Sequence, residues 1–135
     1  MQPTILIIDD NEDDVLLMKL VLSKTGRDLR TELALSGEAG LALIRGGKML
    51  PELILLDLKM PGMDGIEVLR KIREDMTLSS IPVVIVTHSD MESDQQASIK
   101  AGADSFLHKA SDLDHFKKDI EHILNHWLGA NAPHL

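Results

Sequence analysis

Residues 53–65 read Leu53-Ile54-Leu55-Leu56-Asp57-Leu58-Lys59-Met60-Pro61-Gly62-Met63-Asp64-Gly65. Four consecutive aliphatic residues, opened by Pro51 and closed by a carboxylate, have the length and continuity of a strand buried on both faces. Met60-Pro61-Gly62-Met63 is a turn, and Asp64 followed three residues later by Glu67 forms a capping box for a helix bearing Ile66, Leu69 and Ile72. A buried strand with an acidic end that leads through a turn into a capped helix is the repeating step of a parallel α/β sheet.

The step recurs along the whole chain. Upstream, Ile5-Leu6-Ile7-Ile8 runs into Asp9-Asp10, and Val15, Leu16, Met18, Leu20, Val21 and Leu22 then supply a broad apolar helical face that ends near Gly26. A weaker strand over about 30–35 follows, and Ser36 caps a second helix whose apolar residues Leu41, Leu43 and Ile44 precede a Gly46-Gly47 stop. Downstream, Pro82 marks a return to strand, and Val83-Val84-Ile85-Val86 runs into Thr87. The fourth helix, roughly 92–101, is polar, with Ala97, Ile99 and Ala101 as its few apolar residues and Gly102 as its stop; such a helix buries little and shifts easily. Ser105-Phe106-Leu107-His108 runs into Lys109. A second capping box, Ser111 with Asp114, then opens a last helix in which Leu113, Phe116, Ile120, Ile123, Leu124 and Trp127 keep the 3.6-residue period. The expected organisation is one domain over 1–128 and a flexible tail over 129–135.

Strand and helix thus alternate five times, the pattern of a doubly wound parallel sheet covered on both faces by right-handed crossovers. The order 2-1-3-4-5 is taken from the common five-stranded arrangement of that kind rather than derived. It makes strands 1 and 3 neighbours about 4.8 Å apart, so Asp9, Asp10 and Asp57 meet at the switch point. All four chemistry-bearing strand ends share one edge, where such folds place ligands. Three carboxylates, a hydroxyl and an ammonium suit a small divalent cation together with a phosphoryl group.

Composition narrows the classes. At 135 residues the chain fits one core, and 44% hydrophobic content suffices to bury it, almost entirely with aliphatic side chains because Phe106, Phe116 and Trp127 are the only aromatics. A formal charge of −8 argues against general affinity for nucleic acid or anionic membrane. The absence of cysteine rules out a disulfide framework and a thiolate metal site. With no leader-like start and no apolar stretch near 18 residues, a cytoplasmic, unprocessed protein is expected.

These residues, in this order and at strand ends, resemble the receiver domain of two-component response regulators over about residues 3–127. The match lies in Asp9-Asp10, Asp57 with the Met60-Pro61-Gly62-Met63-Asp64-Gly65 turn, Thr87, Phe106 and Lys109. The run Asp10-Asn11-Glu12-Asp13-Asp14-Val15 is also similar to the stand-alone receivers that accompany phytochrome-type sensors. The resemblance implies a flavodoxin-like receiver fold and a phosphorylation-controlled signalling module rather than an enzyme. It makes Asp57 the phosphoacceptor, charged by a sensor histidine kinase or a phosphotransfer protein, with signalling by protein contact or onward transfer. It further implies Mg²⁺ held by Asp10, Asp57 and the Lys59 backbone carbonyl, with Asp9 acting through a water. Lys109 becomes the phosphate counter-charge, Thr87 the hydroxyl that moves toward the phosphoryl group, and Phe106 the aromatic switch.

Two positions depart from the family. His88 replaces the usual small residue after the switch threonine and is expected to shield the phosphoryl group from water. Ala110 follows Lys109 where most relatives carry a cis proline, and a trans peptide is expected because a non-proline cis bond costs about 2.5–4 kcal/mol. Asp13 and Asp14 read as ordinary helix N-terminal charges. His122 and His126, at i and i+4, have zinc-compatible spacing but no third ligand nearby in sequence. A Mg²⁺-dependent phosphohydrolase using Asp57 is an alternative, although Lys59 stands where such enzymes commonly place a second acid. A phosphate-independent scaffold is another. The apolar stripe reaching Trp127-Leu128 suggests a homodimer, for which the fourth helix, fifth strand and fifth helix are the expected surface.

Overall fold

In the computed structural model, which describes residues 2–109 and 112–129, the elements follow the expected alternation. They are β1 (Thr4–Ile8), α1 (Glu12–Ser23), β2 (Arg30–Ala34), α2 (Gly37–Ile44), β3 (Leu53–Leu56), α3 (Gly65–Glu74), β4 (Val83–Thr87), α4 (Glu92–Ala101), β5 (Ser105–His108) and α5 (Leu113–Leu128). All pairings are parallel and the strand order is β2-β1-β3-β4-β5, a doubly wound sheet. The register aligns Ile8 with Leu56 and Thr87 with His108, so the residues that follow these strands emerge level with one another.

Pleating divides the core. Leu6, Ile8, Ile54, Leu56, Val83 and Ile85 face Leu41 and Ile44 of α2 and Val68, Leu69 and Ile72 of α3. Ile5, Ile7, Leu53, Leu55, Val84 and Val86 face α1 and α5 through Val15, Met18, Val21, Phe116, Ile120 and Leu124. Fully burying an aliphatic side chain contributes about 1.5–3 kcal/mol, so the three central strands, buried on both faces, anchor the sheet.

Local signals behave largely as read. Asn11, Ser36 and Asp64 cap α1, α2 and α3 through their side chains, and Gly102 ends α4 in the left-handed region at φ 109°. Other readings change. The face of α1 is turned from the one expected: Leu16 and Leu20 are 63% and 46% exposed, because the stripe that packs on the sheet is Val15, Met18, Val21 and Leu22, with Leu17 at its margin. In α4 the buried residue is Ser98, whose hydroxyl donates to the Asp94 carbonyl at 2.8 Å, while Ala97 and Ile99 face outward. The cap of α5 is Asp112, accepting from the Asp114 N–H at 3.0 Å. Ser111, expected as that cap, lies outside the described residues, as do the Lys109–Ala110 peptide and all of the expected tail except Gly129. Trp127 and Leu128 pack against the cluster beneath α1 and α5, which uses the end of the apolar stripe within the chain.

Candidate functional site

The carboxyl edge of the sheet collects the chemistry. Asp9 continues β1, Asp57 continues β3, Thr87 ends β4 and Lys109 follows β5; all four are buried, whereas Asp10 is exposed at the rim. Backbone bonds lock the edge. The Asp57 N–H donates to the Ile8 carbonyl at 2.9 Å, and the Lys109 N–H donates to the Thr87 carbonyl at 2.7 Å. The turn after β3 needs Gly65, since a Cβ there would lie 2.3 Å from the Asp57 carbonyl oxygen. The start of α3 can therefore press directly on the strand end that carries Asp57.

Lys109 Nζ is the hub. It donates to Asp9 Oδ2 at 2.6 Å and to Asp14 Oδ2 at 2.9 Å, and lies 3.5 Å from Asp57 Oδ1. Asp9 Oδ1 also accepts the Asn11 N–H at 3.0 Å. Carboxylate oxygens of Asp9, Asp10 and Asp57 all lie within 4.8 Å of one another, the one such cluster of metal-ligating type among the described residues. This is a hard oxygen donor set with one solvent-facing member, which fits a small divalent cation that keeps several waters.

The electrostatics follow from crowding. Burial first, and then the neighbouring Asp9 charge, push the Asp57 carboxyl up to about 6, although Lys109 opposes the rise. For Lys109, burial alone would lower the ammonium, but hydrogen bonds to Asp9 and Asp14 and the Asp57 charge outweigh it and raise it. Burial would raise Asp14, yet its bond to Lys109 and the cation's charge hold it below the ordinary carboxylate value.

Asp14 is the residue that sequence reasoning missed. A charge in a run of charges reads as solvated, but Asp14 precedes Met18 by four residues and Val21 by seven. It therefore lies on the same period as the buried stripe, and that period was the available signal. Its carboxylate also meets His88 Nε2 at 3.1 Å, which sets the exposed imidazole against α1 at the rim. The His88 carbonyl lies 2.9 Å from His108 Nε2.

The remaining expected residues surround this hub. The Thr87 hydroxyl accepts the Ser89 N–H at 3.3 Å. Phe106 is half-buried against the α3 side of the core and lines a pocket of about 310 Å³ with Ser89, Asp90, Met91, Gln95 and His108. The exposed Lys59 ammonium reaches Asp94 in the first turn of α4 at 3.3 Å, and Asp94 also accepts from the Ser89 hydroxyl at 2.5 Å. Ala110 is outside the described residues. His122 and His126 line a small pocket beside Trp127 and Asp104 but form no metal-ligating cluster among the described residues.

A doubly wound sheet in the 2-1-3-4-5 order, with an acidic triad and a buried lysine at its switch-point edge, defines a receiver. The chain belongs to the response regulator receiver domain family, which it matches over residues 5–121. It is 34% identical over 131 residues to the probable methanogenesis regulatory protein FilR2 of Methanothrix harundinacea, covering 94% of this chain and 84% of that one. Response regulator Rcp1 of Synechocystis is 33% identical over 129 residues, covering 92% and 88%. The phosphorylated cyanobacterial phytochrome response regulator RcpA superposes with a TM-score of 0.87 at 29% identity, covering 99% of this chain and all of the other. The Mn²⁺-bound form of Rcp1 superposes with a TM-score of 0.84 at 31% identity, covering 98% and 99%. These relatives are response regulators and regulatory proteins by name, and a divalent metal is part of the receiver repertoire. Receivers as a class are phosphorylated by histidine kinases or phosphotransfer proteins. Among the described residues no helix is long and apolar enough to cross a membrane.

Proposed function

We propose that Asp57 is the phosphoacceptor of a phosphorylation-controlled signalling module whose donor is the phosphohistidine of a sensor kinase or phosphotransfer protein. The observation that carries this reading is the position of Asp57 at the end of β3, inside the acidic cluster and 3.5 Å from the Lys109 ammonium. One Asp57 carboxylate oxygen attacks phosphorus in line and forms the acyl phosphate O–P bond. The donor P–N bond breaks, and its electron pair leaves on the imidazole, which takes a proton. The attacking group must be ionised, and a carboxyl raised to about 6 is largely ionised at neutral pH while remaining poorly solvated.

Asp10, Asp57 and the Lys59 carbonyl would hold Mg²⁺, with Asp9 acting through water; when bound, the ion neutralises charge that develops on the phosphoryl oxygens. Lys109 stays protonated and supplies the fixed cation on the opposite side. The Thr87 hydroxyl exchanges its Ser89 contact for a phosphoryl oxygen, and Phe106 follows by filling space on the β4–β5 side. Because Ser89 also bonds Asp94, movement of Thr87 is felt at the first turn of the sparsely packed α4. The resulting change of surface on α4, β5 and α5 is what a downstream protein reads. The module works as a cytoplasmic receiver and is not itself a turnover enzyme.

The test is labelling by acetyl phosphate with Mg²⁺. One phosphoryl group per chain is expected on the parent, with none in EDTA and none on Asp57→Asn. An Asn variant labelled as well as the parent would refute the site, and continuous phosphate release far above stoichiometry would indicate a hydrolase instead.

A further inference from the structure

We propose that Asp14 is a positioning residue for Lys109, holding the ammonium toward α1 and competing for it with the phosphoryl group, so that Asp14 slows phosphorylation. The inference rests on Asp57 being the acceptor. An ammonium has three N–H bonds, and two of them are taken by Asp9 at 2.6 Å and Asp14 at 2.9 Å. Asp57 Oδ1, at 3.5 Å, is the most distant of the three carboxylate oxygens around Nζ. Closing that gap toward a phosphoryl oxygen draws Nζ away from Asp14.

Asp14 differs in kind from the other carboxylates of the edge. Asp9, Asp10 and Asp57 form the cluster that a cation neutralises, whereas Asp14 stands outside it, compensated by Lys109 and meeting the His88 ring at 3.1 Å. Its side chain is 15% exposed, so water screens it only in part. When a cation is bound, Asp14 therefore remains the charge opposing an incoming phosphoryl group. It opposes that group by retaining Lys109. The position adds no metal ligand and no nucleophile, and its effect is on rate.

The experiment measures the second-order rate of labelling by acetyl phosphate with Mg²⁺ for the parent, Asp14→Asn, Asp14→Glu, Lys109→Gln and the Asp14→Asn/Lys109→Gln double variant. Asparagine keeps the shape, and Asp14→Ala serves as a second replacement. Freeing the Lys109 ammonium from one of its two carboxylate partners is expected to raise the rate about three- to tenfold, and Asp14→Glu should stay near the parent. If Asp14 acts through Lys109, the gain shrinks to less than about twofold in the Lys109→Gln background. An Asp14→Asn rate equal to or below the parent's overturns the proposal. So does an undiminished gain without Lys109, which would mean plain repulsion rather than positioning. A parent that takes no label sinks the functional reading and this inference with it, whereas a labelled parent with an unchanged Asp14→Asn sinks the inference alone.

Discussion

The two edges of the same sheet are built on opposite electrostatic plans. At the edge where the strands begin, the Arg73 guanidinium from the last turn of α3 bonds the carbonyls of Gly102, Ser79 and Ile81 at 2.8–3.1 Å and Asp104 Oδ2 at 2.7 Å. Asp104 accepts the Val83 N–H with the same oxygen, so one cation meets one carboxylate and the fork is well matched. At the edge where the strands finish, Asp9, Asp14 and Asp57 gather around the ammonium of Lys109, and Asp10 stands beside Asp9 and Asp57 at the rim. One arrangement clasps α3, α4, β4 and β5 together. The other leaves charge uncompensated where a cation and a phosphoryl group can compensate it, and stability is the cost.

If that contrast is sound, damage at the first edge destabilises and damage at the second stabilises. Arg73→Ala removes four bonds and leaves Asp104 and three carbonyls short of a partner. Because the pair is partly exposed, the expected loss is about 3–4 kcal/mol, near the low end for a buried pair. Urea unfolding checks it, and a loss under about 1 kcal/mol would remove the clasp from the account.

Asp57→Asn should move the other way by a smaller amount. A carboxyl raised from 3.8 to about 6 binds its proton more tightly in the folded than in the unfolded protein. Its contribution to stability therefore falls as pH rises through that window, and the penalty is complete above it. In EDTA at about pH 8 the Asn variant should be more stable by about 2–3 kcal/mol, since Lys109 retains Asp9 and Asp14 as partners. The gain should vanish below about pH 3, where Asp57 is protonated in both states. A gain that does not change with pH would mean that something other than the Asp57 charge is responsible.

The second edge was legible in the sequence and the first was not. Aliphatic runs that end abruptly in Asp9, Asp57 and Thr87 report both the strand and its chemical end, because a strand buried on both faces leaves only its terminus for polar work. The order of strands was borrowed, since alternation alone fits several orders. Arg73 gave no signal, because three of its partners are backbone carbonyls and Asp104 is 31 residues away. Asp14 was readable only by extending the α1 stripe back toward its N-terminus. Leu16 and Leu20 misled in the opposite sense, since an apolar side chain on the outer face of α1 looks no different in sequence from one facing the sheet. The α5 cap shifted from Ser111 to Asp112 because neighbouring residues can both cap and only the path of the chain chooses between them.

The most direct test of the uncompensated edge is an NMR titration of the Asp57 carboxyl carbon in metal-free protein, repeated with saturating Mg²⁺. The account predicts a midpoint near 6 without metal and a clear fall when the cation is present, with Asp57→Asn assigning the resonance. A metal-free midpoint at or below the ordinary 3.8 would mean that Lys109 already balances the edge, and would contradict it.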